Sequence, residues 1–243
     1  MNVPDTVTLA ILDEPPFCWL AADGTAVGGD VEVATTVLHR VGIRSLAIRQ
    51  VTFAELIPGV VEGRWQLNTG MFITDARRRQ VRFSRPIWAV ADGLVVRGAD
   101  AGRFGSYRDL GLDAAARLGV VVDQVQRDSA RQAGVPDERL LSFATQDDAV
   151  HALERGEVDA VASTAIGNRA LLARRADPGL VAVDLRADGR PVPVGGFSLS
   201  LAETALADRL DAGLAAFLGS PEHRAIMTRY GFTGDDIDAA LSS

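Results

Sequence analysis

The chain has 243 residues, 47% of them apolar and 23% charged, with a formal net charge of −7. That length suits one large domain or two small lobes, with enough apolar residues for a real core, and the balance is ordinary for a soluble globular protein. The negative charge excludes a nucleic-acid partner, whose phosphates demand a basic face.

All 25 basic residues are arginine, which we read as a base-composition bias of the source rather than as chemistry. The single Cys18 excludes an internal disulfide and a cysteine-based zinc cluster. His39, His151 and His223 lie far apart without metal-ligand spacing and read as surface or helix-face residues, so neither metal nor cofactor is expected. No apolar run approaches the ~18 residues of a membrane span. The opening Met1-Asn2-Val3-Pro4-Asp5 lacks the basic and apolar regions of a secretion signal. The expectation is either a mature chain behind an added methionine or a chain kept in the cytoplasm.

In chain order, Thr6 to Leu12 reads as a strand ending at the loop Asp13-Glu14-Pro15-Pro16-Phe17. Val31, Ala34, Leu38 and Val41 fall on one helical face, stopped by Gly42. Leu46 and Ile48 alternate with Ala47 and Arg49 in a second strand. Phe53, Leu56, Ile57 and Val60 make an amphipathic stripe closed by Gly63. Trp88 to Val96 is long enough to leave one lobe and enter another. From Gly119 the pattern restarts, with strand Val120 to Val122, a helix to Gly134 and strand Arg139 to Phe143. A helix over Gln146 to Arg155 carries Asp147 and Asp148 at its start, which suits the helix dipole, and Gly156 follows its end. Strand Val158 to Ser163, a further helix, strand Leu180 to Leu185 and strand Gly195 to Ser200 come next. A helix with Leu206, Leu210 and Phe217 inward precedes one opened by Ser220 as N-cap and Pro221. This alternation predicts an α/β fold, and two similar halves with short connections favour a pair of lobes around a cleft.

The richest segment is Thr69-Gly70-Met71-Phe72-Ile73-Thr74-Asp75-Ala76-Arg77, followed by Phe83-Ser84-Arg85-Pro86. An apolar run breaks at glycine, exposes backbone N–H groups and reaches arginine just after Thr74. A guanidinium fork beside free N–H donors suits a carboxylate, because both oxygens are held in one plane. The plainer reading of Arg77 is a solvated member of the basic run with Arg78, Arg79 and Arg82. Spacing alone leaves both readings of Arg77 open; as a ligand clamp it would have Thr74 capping the turn that aims it and backbone donors at Gly70 and Phe72 completing the grip.

Several elements taken together resemble the solute-binding proteins of ABC importers in the polar amino-acid class. They are Glu14-Pro-Pro-Phe17, Gly28-Gly29-Asp30-Val31-Glu32, Leu56-Ile57-Pro58-Gly59, Gly70 to Arg77, Val81 to Pro86, Leu153 to Ala160 and Tyr230-Gly231-Phe232. Within the class, Gly-Met-Phe-Ile-Thr with Glu14 and Phe17 looks most like the ectoine and hydroxyectoine binders. The resemblance implies a two-lobed periplasmic-binding-protein type II fold. Lobe 1 would hold residues 1–95 and 186–243, and lobe 2 residues 96–185. A small zwitterion would be trapped between them by hinge closure and delivered to a membrane permease. An extracytoplasmic location and a monomer are the family expectations.

The resemblance also gives Phe17, Phe53 and Phe72 a role, as aromatic faces attracting a delocalised cation. Core packing is the competing reading, strongest for Phe53, and Trp19 and Trp65 are substitutes for the same role. Glu14 would meet a ring N–H cation, or is a solvated loop acid. In general amino-acid binders an aspartate holds the ammonium where Thr164 stands here, which argues against an ordinary α-amino acid. Relatives carry a Gly-containing turn after the strand at 120–122, where backbone N–H groups approach the ligand. Here it reads Asp123-Gln124, placing Gln124 at the site and leaving the direction of Asp123 open. An enzyme resembling cyclohexadienyl dehydratases, with Glu14 as general acid, and a ligand-sensing module remain the alternatives.

Overall fold

The computed structural model describes residues 5–186 and 192–242. The segment Met1–Pro4, read above for an export signal, and residues 187–191, at the expected return to lobe 1, lie outside the described residues. The first stretch runs β1 (Thr6–Ile11), a small hairpin of β2 (Trp19–Leu20) and β3 (Ala26–Val27), α1 (Gly29–Arg40) and β4 (Ser45–Gln50). A 3-10 turn over Phe53–Glu55 then leads into α2 (Leu56–Val61), β5 (Leu67–Phe72), α3 (Asp75–Arg78), β6 (Val81–Phe83) and β7 (Trp88–Ala89). The middle of the chain gives β8 (Asp92–Arg97), α4 (Tyr107–Leu112), β9 (Leu118–Val121), α5 (Gln126–Gln132) and β10 (Leu140–Phe143), then α6 (Gln146–Glu154), β11 (Ala160–Thr164), α7 (Ala165–Arg175) and β12 (Leu180–Asp184). The last part forms β13 (Val194–Ser200), α8 (Thr204–Phe217), α9 (Pro221–Arg229) and α10 (Gly234–Leu241).

The chain divides into unit 1, Met1–Ala89 with Val192–Ser243, and unit 2, Val90–Pro191. This shifts the expected boundaries from 95/96 and 185/186. The physical reason is that β8 is bonded along its whole length to β11 on one side and β12 on the other, so Asp92–Arg97 belongs to the second sheet. The apolar run from Trp88 to Val96 is therefore two strands, β7 in one sheet and β8 in the other.

In unit 1 the sheet order is β4-β1-β5-β13-β6, with β7 also paired to β13. β1 runs parallel to β4 and β5, whereas β13 is antiparallel to β5, β6 and β7. The centre of β1 is sealed, and α1 turns Val31, Val33, Ala34, Val37 and Leu38 inward. Unit 2 orders its sheet β10-β9-β11-β8-β12. Leu94, Val96, Leu118 and Val120 meet Phe104, Leu110 and Ala130 on one face. Val95 and Val161 meet Val150, Leu153 and Leu171 on the other. Among the described residues no helix is long and apolar enough to cross a membrane.

Two buried polar groups inside unit 1 differ from what the sequence suggests. Trp65 is core, not a ligand face: its Nε1–H donates to Asn68 Oδ1 at 2.6 Å, and Asn68 Nδ2 donates to the Leu56 carbonyl and to Ser198 Oγ, each at 3.0 Å. His223 is buried rather than at the surface, with Nδ1 accepting from the Gly219 N–H at 3.1 Å and its pKa pushed down to about 4 by burial.

The Trp65 ring lies flat against Gly59, where an added Cβ would stand 1.8 Å from a ring carbon. Gly59→Ala is therefore expected to destabilise the protein by about 1–3 kcal/mol through overpacking. Thermal or urea denaturation checks this, with the open position Gly234, where nothing lies within 4 Å of an added Cβ, as the control for alanine.

Candidate functional site

Of the unit 1 residues picked out above, Phe53, Phe72, Thr74 and Arg77 come together at the end of β5. Thr74 leaves the strand in an extended conformation and caps α3, its Oγ1 accepting from the Arg77 N–H at 3.2 Å. That cap turns the chain so that the Arg77 side chain folds back over the strand end. Its Nη1 donates to the Phe72 carbonyl at 2.9 Å, and its guanidinium carbon stands 5.1 Å from the centre of the Phe53 ring. Arg77 is only 7% exposed, unlike its neighbours Arg78 and Arg79. The cation is thus held in place by a carbonyl and an aromatic face, in surroundings where its attraction for an anion is less screened than at the surface.

Phe17 and Phe72 do not meet Phe53 in the described ring contacts; they meet Trp88. Its ring centroid lies 5.1 Å from Phe17 and 5.2 Å from Phe72, the latter edge to face, and Phe17 in turn meets Phe232 at 5.7 Å. Phe17 follows Pro15 and Pro16 in a loop, yet it is buried in this aromatic group. Phe72 ends β5 and is buried as well. Trp19, offered as a substitute, pairs edge to face with Tyr230 at 5.9 Å. Trp88 went unread as a site residue because it opens an apolar run with strand-like content. Its place next to Phe17 and Phe72 depends on β7 pairing with β13, which periodicity does not reveal.

Gly70 is placed differently from the expectation. Its N–H is not offered to a ligand but donates to Asp30 Oδ2 at 2.8 Å. The same oxygen accepts from Thr69 Oγ1 at 2.6 Å, and Oδ1 accepts from Trp88 Nε1 at 3.1 Å. Asp30 is fully buried, and burial pushes its pKa up to about 6. An added Cβ on Gly70 would stand 2.7 Å from Trp88 Nε1 and 2.9 Å from Asp30 Oδ2, so glycine serves here as space for the carboxylate and the indole. Asp30 was quoted only as part of a motif; a charged residue on the inner face of an amphipathic helix was the available signal.

Glu14 is half-buried, in a turn where its carbonyl accepts from the Phe17 and Cys18 N–H groups. The unit 2 candidates lie on different elements of that unit. Asp123 has φ +62°, the left-handed conformation that aspartate tolerates better than most non-glycine residues. The expected glycine-like turn is thus made without glycine, and the exposed Asp123 is followed by half-buried Gln124. Thr164 is buried and caps α7, its Oγ1 accepting from the Gly167 N–H at 3.1 Å. Its strand partner is Asp92, whose carboxylate accepts from Gln126 Nε2 at 2.8 Å and Tyr107 Oη at 2.9 Å, and whose pKa burial raises. Among the described residues no group of three or more His, Cys, Asp or Glu side chains is placed to hold a metal.

The chain belongs to the bacterial extracellular solute-binding proteins, family 3, whose sequence model matches residues 7–233. It is 29% identical over 240 residues to a probable amino-acid ABC transporter periplasmic-binding protein of Sinorhizobium fredii, covering 96% of this chain and 79% of that one. The structure is similar to that of EhuB in complex with hydroxyectoine, with a TM-score of 0.88 and 27% identity over 98% of this chain and 92% of the other. It is also similar to a mutant of ArgBP from T. maritima, with a TM-score of 0.79 and 25% identity, covering 93% and 95%.

Thr74→Ala removes the cap that aims Arg77. It should cost about 1 kcal/mol of stability, the usual worth of an N-cap side chain, whereas Thr74→Ser should retain it. Denaturant unfolding of the two variants checks the difference.

Proposed function

We propose that this chain captures a small zwitterion, of the ectoine, hydroxyectoine or amino-acid kind, and hands it to the membrane permease of an ABC importer on the outer side of the cytoplasmic membrane. One observation carries the reading: Arg77, nearly buried, is clasped by the Phe72 carbonyl and the Phe53 ring at the end of the strand that also presents Phe72. A fixed guanidinium supplies two parallel donors for a carboxylate. The neighbouring aromatics supply faces for the delocalised positive part of the same molecule. Glu14 is assigned to the ligand's N–H groups. Phe17 contributes through Trp88 and Phe72, while Gln124 and Thr164 are the unit 2 residues assigned to the ligand. The names borne by the family, by the Sinorhizobium relative and by EhuB support this reading.

We read the chain as a binder rather than an enzyme. Asp30, whose carboxyl burial pushes up to about 6, is sealed among three donors and out of reach of a substrate proton.

Calorimetric titration with hydroxyectoine, ectoine, proline, arginine and glycine betaine tests the class of ligand. A zwitterion with a carboxylate should bind, and binding to the folded state alone should raise the melting temperature. Arg77→Ala should weaken that binding at least about thirtyfold, since hydrogen bonds to charged groups are worth about 1.5–3 kcal/mol each. Arg77 also packs on Phe53, so Arg77→Lys is the companion variant: it keeps charge and stem, loses the fork, and should weaken binding too. Unchanged affinity in both variants would overturn the clamp.

A further inference from the structure

Asp30 has no role in the capture just described, yet its surroundings tie it to that site. It sits in the first turn of α1, where the helix dipole favours a negative charge. Its three donors come from Thr69 and Gly70 on β5 and from Trp88 on β7. Trp88 in turn is the ring that joins Phe17 to Phe72. One carboxylate therefore sets the position of the β5 backbone two residues before Phe72 and the orientation of the indole between the two phenylalanines.

We propose that Asp30 is a positioning residue for the solute, holding the aromatic group of unit 1 in its binding arrangement while ionised and loosening it when protonated. The inference rests on the reading of Phe17, Phe72 and Arg77 as the solute's contacts.

The groups around Asp30 allow such a change without unfolding. From the segment after β1, Cys18 faces it, its thiol pKa raised by burial and then by the Asp30 charge, with Glu14 acting on the same thiol. On α1 itself the nearest acid, Glu32, is engaged with Arg229 and Tyr230 of the C-terminal part. β5 and β7 present only the Thr69 hydroxyl, the Gly70 amide and the Trp88 indole, none of them ionised. No cation is bonded to Asp30 among the described residues.

When Asp30 is ionised, the Thr69 hydroxyl donates to it. When it is protonated, its own O–H can donate to Thr69 Oγ1, and the threonine hydrogen turns to Cys18 Sγ, 3.2 Å away. Every group keeps a partner, but the bonds from Gly70 and Trp88 lose their charge assistance, which roughly halves their strength. The sign follows from the pKa, pushed up from 3.8 to about 6. The protonated form fills as pH falls through about 6, so solute affinity falls there. Stability moves the other way: the folded state's preference for the protonated carboxyl is fully present below pH 3.8 and lost as pH rises through about 6. Weaker binding at low pH is then not a symptom of unfolding by this group.

The experiment titrates hydroxyectoine into wild type, Asp30→Asn and Trp88→Phe at pH 8 and pH 5, and follows tryptophan emission against pH without solute. Wild type should bind about fivefold more weakly at pH 5 than at pH 8, as expected when binding prefers the ionised state by about one pKa unit and pH 5 is not yet the protonated limit. Asp30→Asn should bind weakly at both values with no pH dependence, and Trp88→Phe should be about fivefold weaker than wild type at pH 8. Wild-type emission should titrate near pH 6, and that step should vanish in both variants. Equal wild-type affinity at the two pH values, or wild-type affinity in Asp30→Asn, overturns the proposal. If Asp30→Asn fails to fold, unaltered affinity in Trp88→Phe overturns it instead. If wild type binds no hydroxyectoine, the solute reading needs another ligand, and the emission titration alone decides: no step near pH 6 overturns the role of Asp30.

Discussion

The bond set around the Asp30 carboxylate is the constraint on which the rest of unit 1 depends. Burying an ionised carboxyl without a cation costs several kcal/mol unless its oxygens are met by donors. Here three donors reach it, two from β5 and one from β7. The requirement to keep all three forces α1, β5 and β7 into one arrangement. It also explains the missing side chains nearby. Trp88 lies over Gly70 and over Gly195, where an added Cβ would stand 2.0 Å from the indole. Flat backbone on two strands is what lets a tryptophan reach the carboxylate at all.

A second device recurs at the ends of strands. Thr74 after β5 and Thr164 at the end of β11 each cap the helix that follows, accepting from a backbone N–H three residues on. Ser106, Thr145, Ser220 and Thr233 do the same elsewhere. The hydroxyl of such a residue gives one acceptor position to its helix and keeps a second lone pair and its hydrogen, the hydrogen going to Asp148 from Thr145 and to Asp236 from Thr233. Thr74 acts on Arg77 chiefly through the backbone it shapes.

Much of the frame was legible from residue order. The strand–helix alternation, the inward stripes of α1 and α8, the Ser220–Pro221 start of α9 and the Thr74–Arg77 turn all depend on local spacing, and local spacing is what a sequence displays. The misreadings share a different cause. Gly70 reads as a free donor because its acceptor, Asp30, is 40 residues away. Phe17 reads as a loop residue because its partners, Trp88 and Phe232, come from the end of the first segment and from the return of the chain. The short helices α4 and α10 escaped for want of a long apolar stripe. The division between the units was set a few residues late because the apolar character of Trp88 to Val96 does not say which sheet each half joins.

Cys18 has no solvent exposure, and burial raises its thiol well above the usual range, so the reactive thiolate is scarce at neutral pH. It is also the chain's one cysteine. Any cysteine introduced at an exposed position would therefore be the sole target of a maleimide dye, with no need to remove the native thiol.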